Sequence, residues 1–245
     1  HQRDARDGHR PGQVRRQAQH RARLAAMFAD LTQVSLSGAA GTLSAMGDQG
    51  PAVRAALATA LGLTDPGHSW HSERDILAAF AAWMAGVTAS IGKMAEDLIL
   101  MTQSGIGEVV ISGAGGSSTM PQKQNPVAPS VLVAIARQVG GLAATLQGAV
   151  LHRQQRDGAA WFTEWLTLPQ LCILTGRALG LGLDLAGRLT PVPAAMQAGL
   201  AAEGGLIMAE ALTFALATRM PRPEAAAAVK AGEVAKGEGP APAKK

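Results

Sequence analysis

A seam of apolar side chains at helical spacing runs through residues 73–104 and contains no proline. Its members lie three or four positions apart: Ile76, Phe80, Trp83, Val87, Ile91, Met94, Leu98 and Met101. They share one face of an α-helix, because a helix completes a turn every 3.6 residues. At 1.5 Å per residue this helix would be about 48 Å long, a length more typical of bundles and oligomers than of compact monomers. The seam therefore predicts a long-helix bundle.

The composition favours the same all-α fold. Hydrophobic residues make up 47% of the sequence, but aromatic residues only 3%, and there is no tyrosine. A core must then be built from alanine and aliphatic side chains, which suit helix-on-helix packing better than a β-sandwich. We expect two more long helices over 128–154 and 160–189, and we find no convincing strand pattern.

Changes in composition divide the chain into segments. Residues 1–23 are arginine-rich and poor in apolar residues, so we expect them to be disordered. A central helical bundle domain spans 24–189 and contains a glycine-rich loop at 105–126. A small C-terminal helical region follows over 190–234, and the Gly/Pro/Lys-rich tail at 235–245 is expected to be disordered.

The net charge of +4 comes from one end of the chain. Residues 1–23 contain seven Arg and two Asp, a sum of +5, which leaves −1 for the rest. The globular part therefore lacks the basic face that binding of nucleic acid requires. No uncharged apolar run reaches about 18 residues and no apolar signal opens the chain, so we expect no membrane span and no secretion. The single Cys172 cannot form an internal disulfide, which fits a cytoplasmic location.

The glycine-rich loop ends in an unusual polar run. From Gly115 to Pro126 the chain reads Gly-Gly-Ser-Ser-Thr-Met-Pro-Gln-Lys-Gln-Asn-Pro. Lys123 offers a positive charge for a carboxylate, and Asn125 offers both a donor and an acceptor. Main-chain N–H groups of such a loop can stabilise developing negative charge. On composition alone the run fits equally a linker whose Ser and Asn residues cap helices.

This run resembles the signature of the fumarase/aspartase superfamily, Gly-Ser-Ser-x-Met-Pro-x-Lys-x-Asn-Pro, and the resemblance extends over about 24–230. It implies an all-α subunit and a homotetramer whose active sites are shared between subunits. The reaction that it implies is reversible β-elimination next to a carboxylate, with no metal and no organic cofactor. Ser117 would be the catalytic base. Ser118, Lys123 and Asn125 would bind a small polycarboxylate substrate.

Two other segments resemble the cycloisomerase branch of the superfamily. The first begins at Gly47-Asp-Gln-Gly-Pro51 and ends in Ser-Trp-His-Ser-Glu-Arg-Asp at residues 69–75. The second, over residues 151–165, reads Leu-His-Arg-Gln-Gln-Arg-Asp-Gly-Ala-Ala-Trp-Phe-Thr-Glu-Trp. In this branch the leaving group is a carboxylate of the same molecule, so the reverse reaction closes a γ-lactone on 3-carboxy-cis,cis-muconate. The pathway implied is β-ketoadipate catabolism of protocatechuate.

These segments add Arg156 as a substrate-binding candidate, with His152, Asp157 and Arg74 as secondary candidates. Each has a structural alternative. Arg156 and Asp157 would simply pair and cap the next helix, and Arg74 would be a first-turn charge of the long helix. His71 and His152 would be surface histidines, since no second ligand at metal spacing accompanies them.

Two other functions stay open. One is an adenylosuccinate lyase-like β-eliminating enzyme, and the other is a non-catalytic helical assembly protein or inactive fragment. Residues 7–20 do not match the Arg-Thr-x-x-Gln-type segment that superfamily members carry before the first bundle helix. We therefore expect a truncated or altered N-terminus.

Overall fold

A computed structural model describes residues 12–113, 115–116, 124–202 and 206–237. The helices are α1 (Gly12–Leu31), α2 (Gly50–Leu61), α3 (Asp75–Met101), α4 (Val127–Gly148), α5 (Gly158–Ala186), α6 (Pro193–Ala201), α7 (Ala209–Leu216) and α8 (Arg222–Gly237). Short 3-10 turns occupy Ser44–Gln49 and Leu206–Met208. The strands are β1 (Val109–Ile111), β2 (Gly115–Gly116), β3 (Gln124–Asn125) and β4 (Leu189–Pro191). The predicted helical class is confirmed.

The described residues divide into two compact units. The first contains 12–100 and the described residues of 111–189, and the second contains 101–110 with those of 190–237. The sequence prediction assigned 101–110 to the central domain. The structure groups this segment instead with the C-terminal helices, where the Val192 N–H donates to the Glu108 carbonyl at 2.8 Å.

Helix α3 is the central element of the first unit. It begins and ends within three residues of the predicted helix at 73–104. Its buried face combines the seam residues Val87, Ile91 and Leu98 with small residues such as Ala81 and Ala95. Small side chains let neighbouring helices approach closely, because they leave room for the partner's side chains. A Cβ added at Gly92 would lie 2.8 Å from the Ala136 Cβ on α4, and one at Gly182 on α5 would lie 3.5 Å from Ile91.

Helices α4 and α5 pack side by side as a hairpin. Their buried residues include Leu132 and Val139 on α4, and Leu171 and Leu185 on α5. The predicted ranges 128–154 and 160–189 place the two helices correctly, but α4 ends at Gly148. Residues 149–157 form the connection instead, and Asp157 begins α5 as its N-cap.

Residues 12–23 are helical, so the expectation of a disordered segment over 1–23 is wrong for this part of it. Residues 1–11 lie outside the described residues. Distant contacts order α1: the His20 carbonyl accepts from Trp83 Nε1 at 2.9 Å, and His20 Nε2 lies 2.8 Å from Ser90 Oγ. At the other end, α8 reaches Gly237, so residues 235–237 of the predicted disordered tail are helical, and 238–245 lie outside the described residues.

The strands have two or three residues each and form two separate pairs, β1 with β4 and β2 with β3. The sequence analysis found no strand pattern because segments this short show no alternation of apolar and polar residues. The β2–β3 pair is antiparallel and joins Gly115 to Asn125 and Gly116 to Gln124. It holds together the two described ends of the signature run.

Helices α3, α4 and α5 are each long and apolar enough to cross a membrane, by length and composition only. The sequence criterion of an uncharged run excluded them, because each helix carries charged residues. In one chain the packing buries 39%, 22% and 28% of the respective apolar windows. More than two thirds of each hairpin window is therefore not fully buried in a single chain.

Candidate functional site

The signature run is described at its two ends. Ser117, Ser118 and Lys123 lie outside the described residues. Asn125 is half-buried in β3, directly before α4, and it lines a cavity of 380 Å³ at the N-terminal end of that helix. The backbone pairing of Gly115 with Asn125 and of Gly116 with Gln124 brings the two described ends of the run together.

Arg156 lies at the other end of the hairpin, in the α4–α5 connection. Its guanidinium carbon is 4.9 Å from the ring centroid of Trp161, a cation–π distance. One guanidinium nitrogen is 3.4 Å from the Ala39 carbonyl. The ring of Trp161 is stacked in turn on Trp165, with 6.0 Å between the centroids. Arg156 is exposed, so its remaining N–H groups are available to a carboxylate.

His71 fastens this connection to the segment before α3. It is 7% exposed, so the expectation of a surface histidine is wrong for it. Its Nε2 lies 2.5 Å from the Gln155 carbonyl, which can only accept, so Nε2 carries the proton. Ser69 Oγ then donates to Nδ1 at 3.0 Å. A Cβ at Gly41, whose φ is +81°, would lie 2.8 Å from the His71 ring.

His152 remains a candidate of a different kind. Both ring nitrogens are buried and have no hydrogen-bond partner in the described part of the chain. The ring lies edge-on to Trp161, with 6.4 Å between centroids. Buried polar atoms are normally hydrogen-bonded, so His152 is suited to meet a substrate or a neighbouring chain. No group of three His, Cys, Asp or Glu side chains that could hold a metal ion occurs in the ranges that the structure describes.

Both carboxylate oxygens of Asp157 accept hydrogen bonds from neighbouring residues. One carboxylate oxygen accepts from the Ala159 N–H at 3.0 Å and the Ala160 N–H at 3.4 Å, which caps α5. The other accepts from the backbone N–H and the Nε of Arg153, at 3.1 and 3.0 Å. The hydrogen bonds from Arg153 and from the helix N–H groups hold the pKa of Asp157 well below its usual range. The capping alternative therefore describes this residue better than a substrate contact.

Arg74 has a similar outcome. Its Nε and Nη2 donate to the two carboxylate oxygens of Glu164 at 2.8 and 2.5 Å. Its guanidinium carbon also lies 5.1 Å from the centroid of the Trp70 ring. With side chains 13% and 7% exposed, Arg74 and Glu164 form a buried pair that joins the start of α3 to α5. Arg74, a secondary candidate for the site, therefore has its guanidinium group engaged by Glu164.

The site candidates therefore fall into two groups. Asn125 precedes the first residue of α4, whereas Arg156 follows its last. Since α4 has 22 residues, the helix alone separates them by about 33 Å at 1.5 Å per residue. A small substrate cannot touch both groups in one chain. If both groups bind the same molecule, they must come from different chains.

The comparisons with known proteins agree with this helical architecture. A family model described as a lyase matches residues 11–141, and the match therefore includes all of α1. The 3-carboxy-cis,cis-muconate cycloisomerase of Pseudomonas aeruginosa is 42% identical over 206 residues, covering 83% of this chain and 45% of that protein.

Two solved structures are similar over most of this chain. The 3-carboxy-cis,cis-muconate lactonizing enzyme from Pseudomonas putida has a TM-score of 0.79 and 35% identity, covering 89% of this chain and 48% of that one. A fumarate lyase from Mesorhizobium sp. BNC1 has a TM-score of 0.83 and 32% identity, covering 92% and 51%. This chain spans about half the length of the relatives it matches.

Proposed function

The chain belongs to the lyase family of the fumarase/aspartase type, and from that premise we propose that it acts as a 3-carboxy-cis,cis-muconate cycloisomerase. The observation that carries the proposal is the 42% identity to a curated cycloisomerase over 83% of the chain. A stretch that long necessarily includes both the signature run and the 151–165 segment. The similar stretch therefore spans both parts of the chain that hold the site candidates.

The proposed reaction couples a proton transfer at the α carbon to the breaking or forming of the bond between the β carbon and a carboxylate oxygen. In the elimination direction Ser117 removes the proton α to one carboxylate, and charge builds on that carboxylate as an aci-carboxylate. The carbon–carbon double bond then forms as the ring carboxylate leaves the β carbon and opens the γ-lactone. Cyclisation is the reverse, with the α carbon regaining the proton. Because the charge develops at a carboxylate, N–H donors and cations must be placed around it before it forms.

Ser118, Lys123 and Asn125 are proposed to bind the carboxylate at which charge develops. Arg156 is proposed to bind another carboxylate of the same substrate, and the Trp161 ring beneath it fixes the plane of the guanidinium. His152 is kept as a secondary candidate because its buried ring nitrogens have no partner among the described residues. Arg74 and Asp157 support the site by fixing the ends of α3 and α5.

We propose a homotetramer in which each site draws on more than one subunit. The separation of about 33 Å between Asn125 and Arg156 supports this, because two ends of the hairpin can meet only through neighbouring chains. The uncovered apolar faces of the hairpin supply the surface for such packing. A cytoplasmic location, without membrane or nucleic-acid partners, and a place in the β-ketoadipate pathway of protocatechuate degradation complete the proposal.

Purified protein tests the activity directly. Turnover is expected to remove the conjugated-diene absorbance of 3-carboxy-cis,cis-muconate. Ser117→Ala should abolish this change while the helical circular dichroism stays the same, because the base is lost but the bundle is not touched. Unchanged turnover in Ser117→Ala would exclude Ser117 as the base. Fumarate release from adenylosuccinate would favour the adenylosuccinate lyase-like alternative, and assembly without either activity would favour a non-catalytic assembly protein.

A further inference from the structure

The cavity at the N-terminal end of α4 carries two arginines that the sequence analysis did not single out. Arg177 comes from α5, and Arg188 follows the end of that helix. Both line the 380 Å³ cavity together with Asn125 and the first residues of α4. Nothing in the sequence brings Arg177, 52 positions after Asn125, back beside it.

The charges around this cavity are unbalanced. Arg177 is exposed and makes no ion pair with any residue in the described ranges. Arg188 binds Asp184 through one terminal nitrogen at 2.9 Å, but its Nε is buried and has no hydrogen-bond partner in the described part of the chain. The described residues that line the cavity include no Asp or Glu. A cavity that two arginines line, with no acidic residue in its described lining, suits an anionic ligand.

The start of α4 adds to the positive potential. The helix has 22 residues and begins after Pro126 without a side-chain cap. Its first N–H groups therefore lack intrahelical partners, and its dipole places partial positive charge at this end. The remaining walls are apolar and include Ile111, Val127 and Leu181. Apolar walls with convergent cations suit a short hydrocarbon that bears carboxylates.

We propose that Arg177 and Arg188 form a carboxylate-binding subsite beside Asn125. The subsite takes one or two carboxylates of a small polycarboxylate, and the identity of that molecule as the tricarboxylate substrate rests on the proposed function. A tricarboxylate brings three negative charges. Arg177 and Arg188 supply two positive charges at this end of the hairpin, and of the two only Arg188 has an acidic partner in the described ranges.

Calorimetric titration with propane-1,2,3-tricarboxylate at constant ionic strength tests the subsite without relying on turnover. The whole chain is titrated as wild type, Arg177→Gln, Arg188→Gln and the double variant. Loss of a charge-assisted hydrogen bond should weaken binding about 10-fold in each single variant and further in the double variant. Arg219→Gln removes the same charge from an exposed arginine of the second unit and should bind as the wild type does. Asp184→Asn leaves the arginines in place and should bind at least as tightly as the wild type.

Wild-type affinity in Arg177→Gln and in the double variant would overturn the subsite, as would the absence of saturable binding by the wild type. Circular dichroism shows that each variant is folded, and Arg177 is the more secure test because it makes no ion pair within the described ranges. Turnover of 3-carboxymuconate separates the two proposals. If Arg177→Gln loses tricarboxylate binding and no protein turns over muconate, the subsite stands and the proposed activity fails. If the wild type is active and Arg177→Gln keeps its kcat/KM, the activity stands and the subsite fails.

Discussion

The pair of Arg74 and Glu164 shows how one contact at residue scale holds two helices of the site together. The two side chains are 13% and 7% exposed, and two N–H groups of the arginine meet both oxygens of the carboxylate. A buried charge that loses its partner is costly, because water cannot replace the lost interaction. The pair therefore fixes the start of α3 against α5 at the end of the hairpin that carries Arg156.

Glu164→Ala is expected to lower the free energy of unfolding by about 3 kcal/mol, measured by urea denaturation, because it leaves the Arg74 guanidinium buried and unpaired. Replacing both residues by Met should cost less than Glu164→Ala alone, since no unpaired charge remains. Arg137 and Glu96 provide the matched control, because their side chains are 78% and 47% exposed. Arg137→Met should cost less than about 1 kcal/mol. Equal losses for the buried and the exposed pair would contradict the structural role given to Arg74.

At the scale of elements, α3 and α4 are in close contact where Gly92 faces Ala136. A Cβ at Gly92 would lie 2.8 Å from the Ala136 Cβ, and both atoms are fixed to helix backbones that cannot rotate away. Gly92→Ala is therefore expected to lower the free energy of unfolding by about 1–3 kcal/mol, although alanine is the better helix former.

Restoring the space on the opposite helix tests this contact. Ala136→Gly removes the methyl group that Gly92→Ala would meet, so the double variant should be more stable than the sum of the two single changes predicts. Thermal unfolding of the four proteins gives this coupling. Additive losses would mean that the helices are not packed through Gly92 and Ala136.

The helices were predictable where their own residues determine them. The spacing of the seam places α3 within three residues of its bounds, because a long apolar face and the absence of proline act locally. The start of α1 was missed because residues 12–23 have no such face, and their order comes from contacts of His20 with Trp83 and Ser90 on another helix. These hydrogen bonds join residues that are 63 and 70 positions apart, so a local sequence pattern cannot predict them.

The candidate site divides in the same way. The signature run and the 151–165 segment pointed to Asn125 and Arg156 through residue identity alone. Their separation along α4, the burial of His71 and the return of Arg177 to the start of that helix all depend on how the helices fold back. A side chain that the sequence suggests for the site can also be engaged in a structural ion pair, as Arg74 is with Glu164, and the sequence does not reveal that partner.

At the scale of the whole molecule, α5 presents an apolar stripe that its own chain leaves uncovered. Phe162, Leu166, Ile173 and Leu183 are 60%, 70%, 71% and 79% exposed. Spacings of 4 and 7 residues are close to whole turns of a helix, and with the spacing of 10 residues to Leu183 all four side chains fall within an arc of about 100°, so they lie along one side. Such a stripe on a helix long enough to span a bilayer has two explanations, lipid or another chain. Arg177 and Asp184 on the same helix argue for another chain, because charged side chains are costly in the interior of a bilayer.

The chain is therefore expected to sediment as an oligomer at micromolar concentration without detergent. Ile173→Glu places a charge in the middle of the stripe and should shift the sedimenting species towards the monomer, because burying an unpaired carboxylate between subunits is unfavourable. Leu61→Glu is the matched control, since Leu61 is 59% exposed on α2, away from the stripe. It should leave the sedimentation unchanged. A wild-type monomer, or an oligomer that Ile173→Glu does not weaken, would show that the stripe is not the subunit interface. Recovery of the wild-type protein only from the membrane pellet would show that lipid covers the stripe.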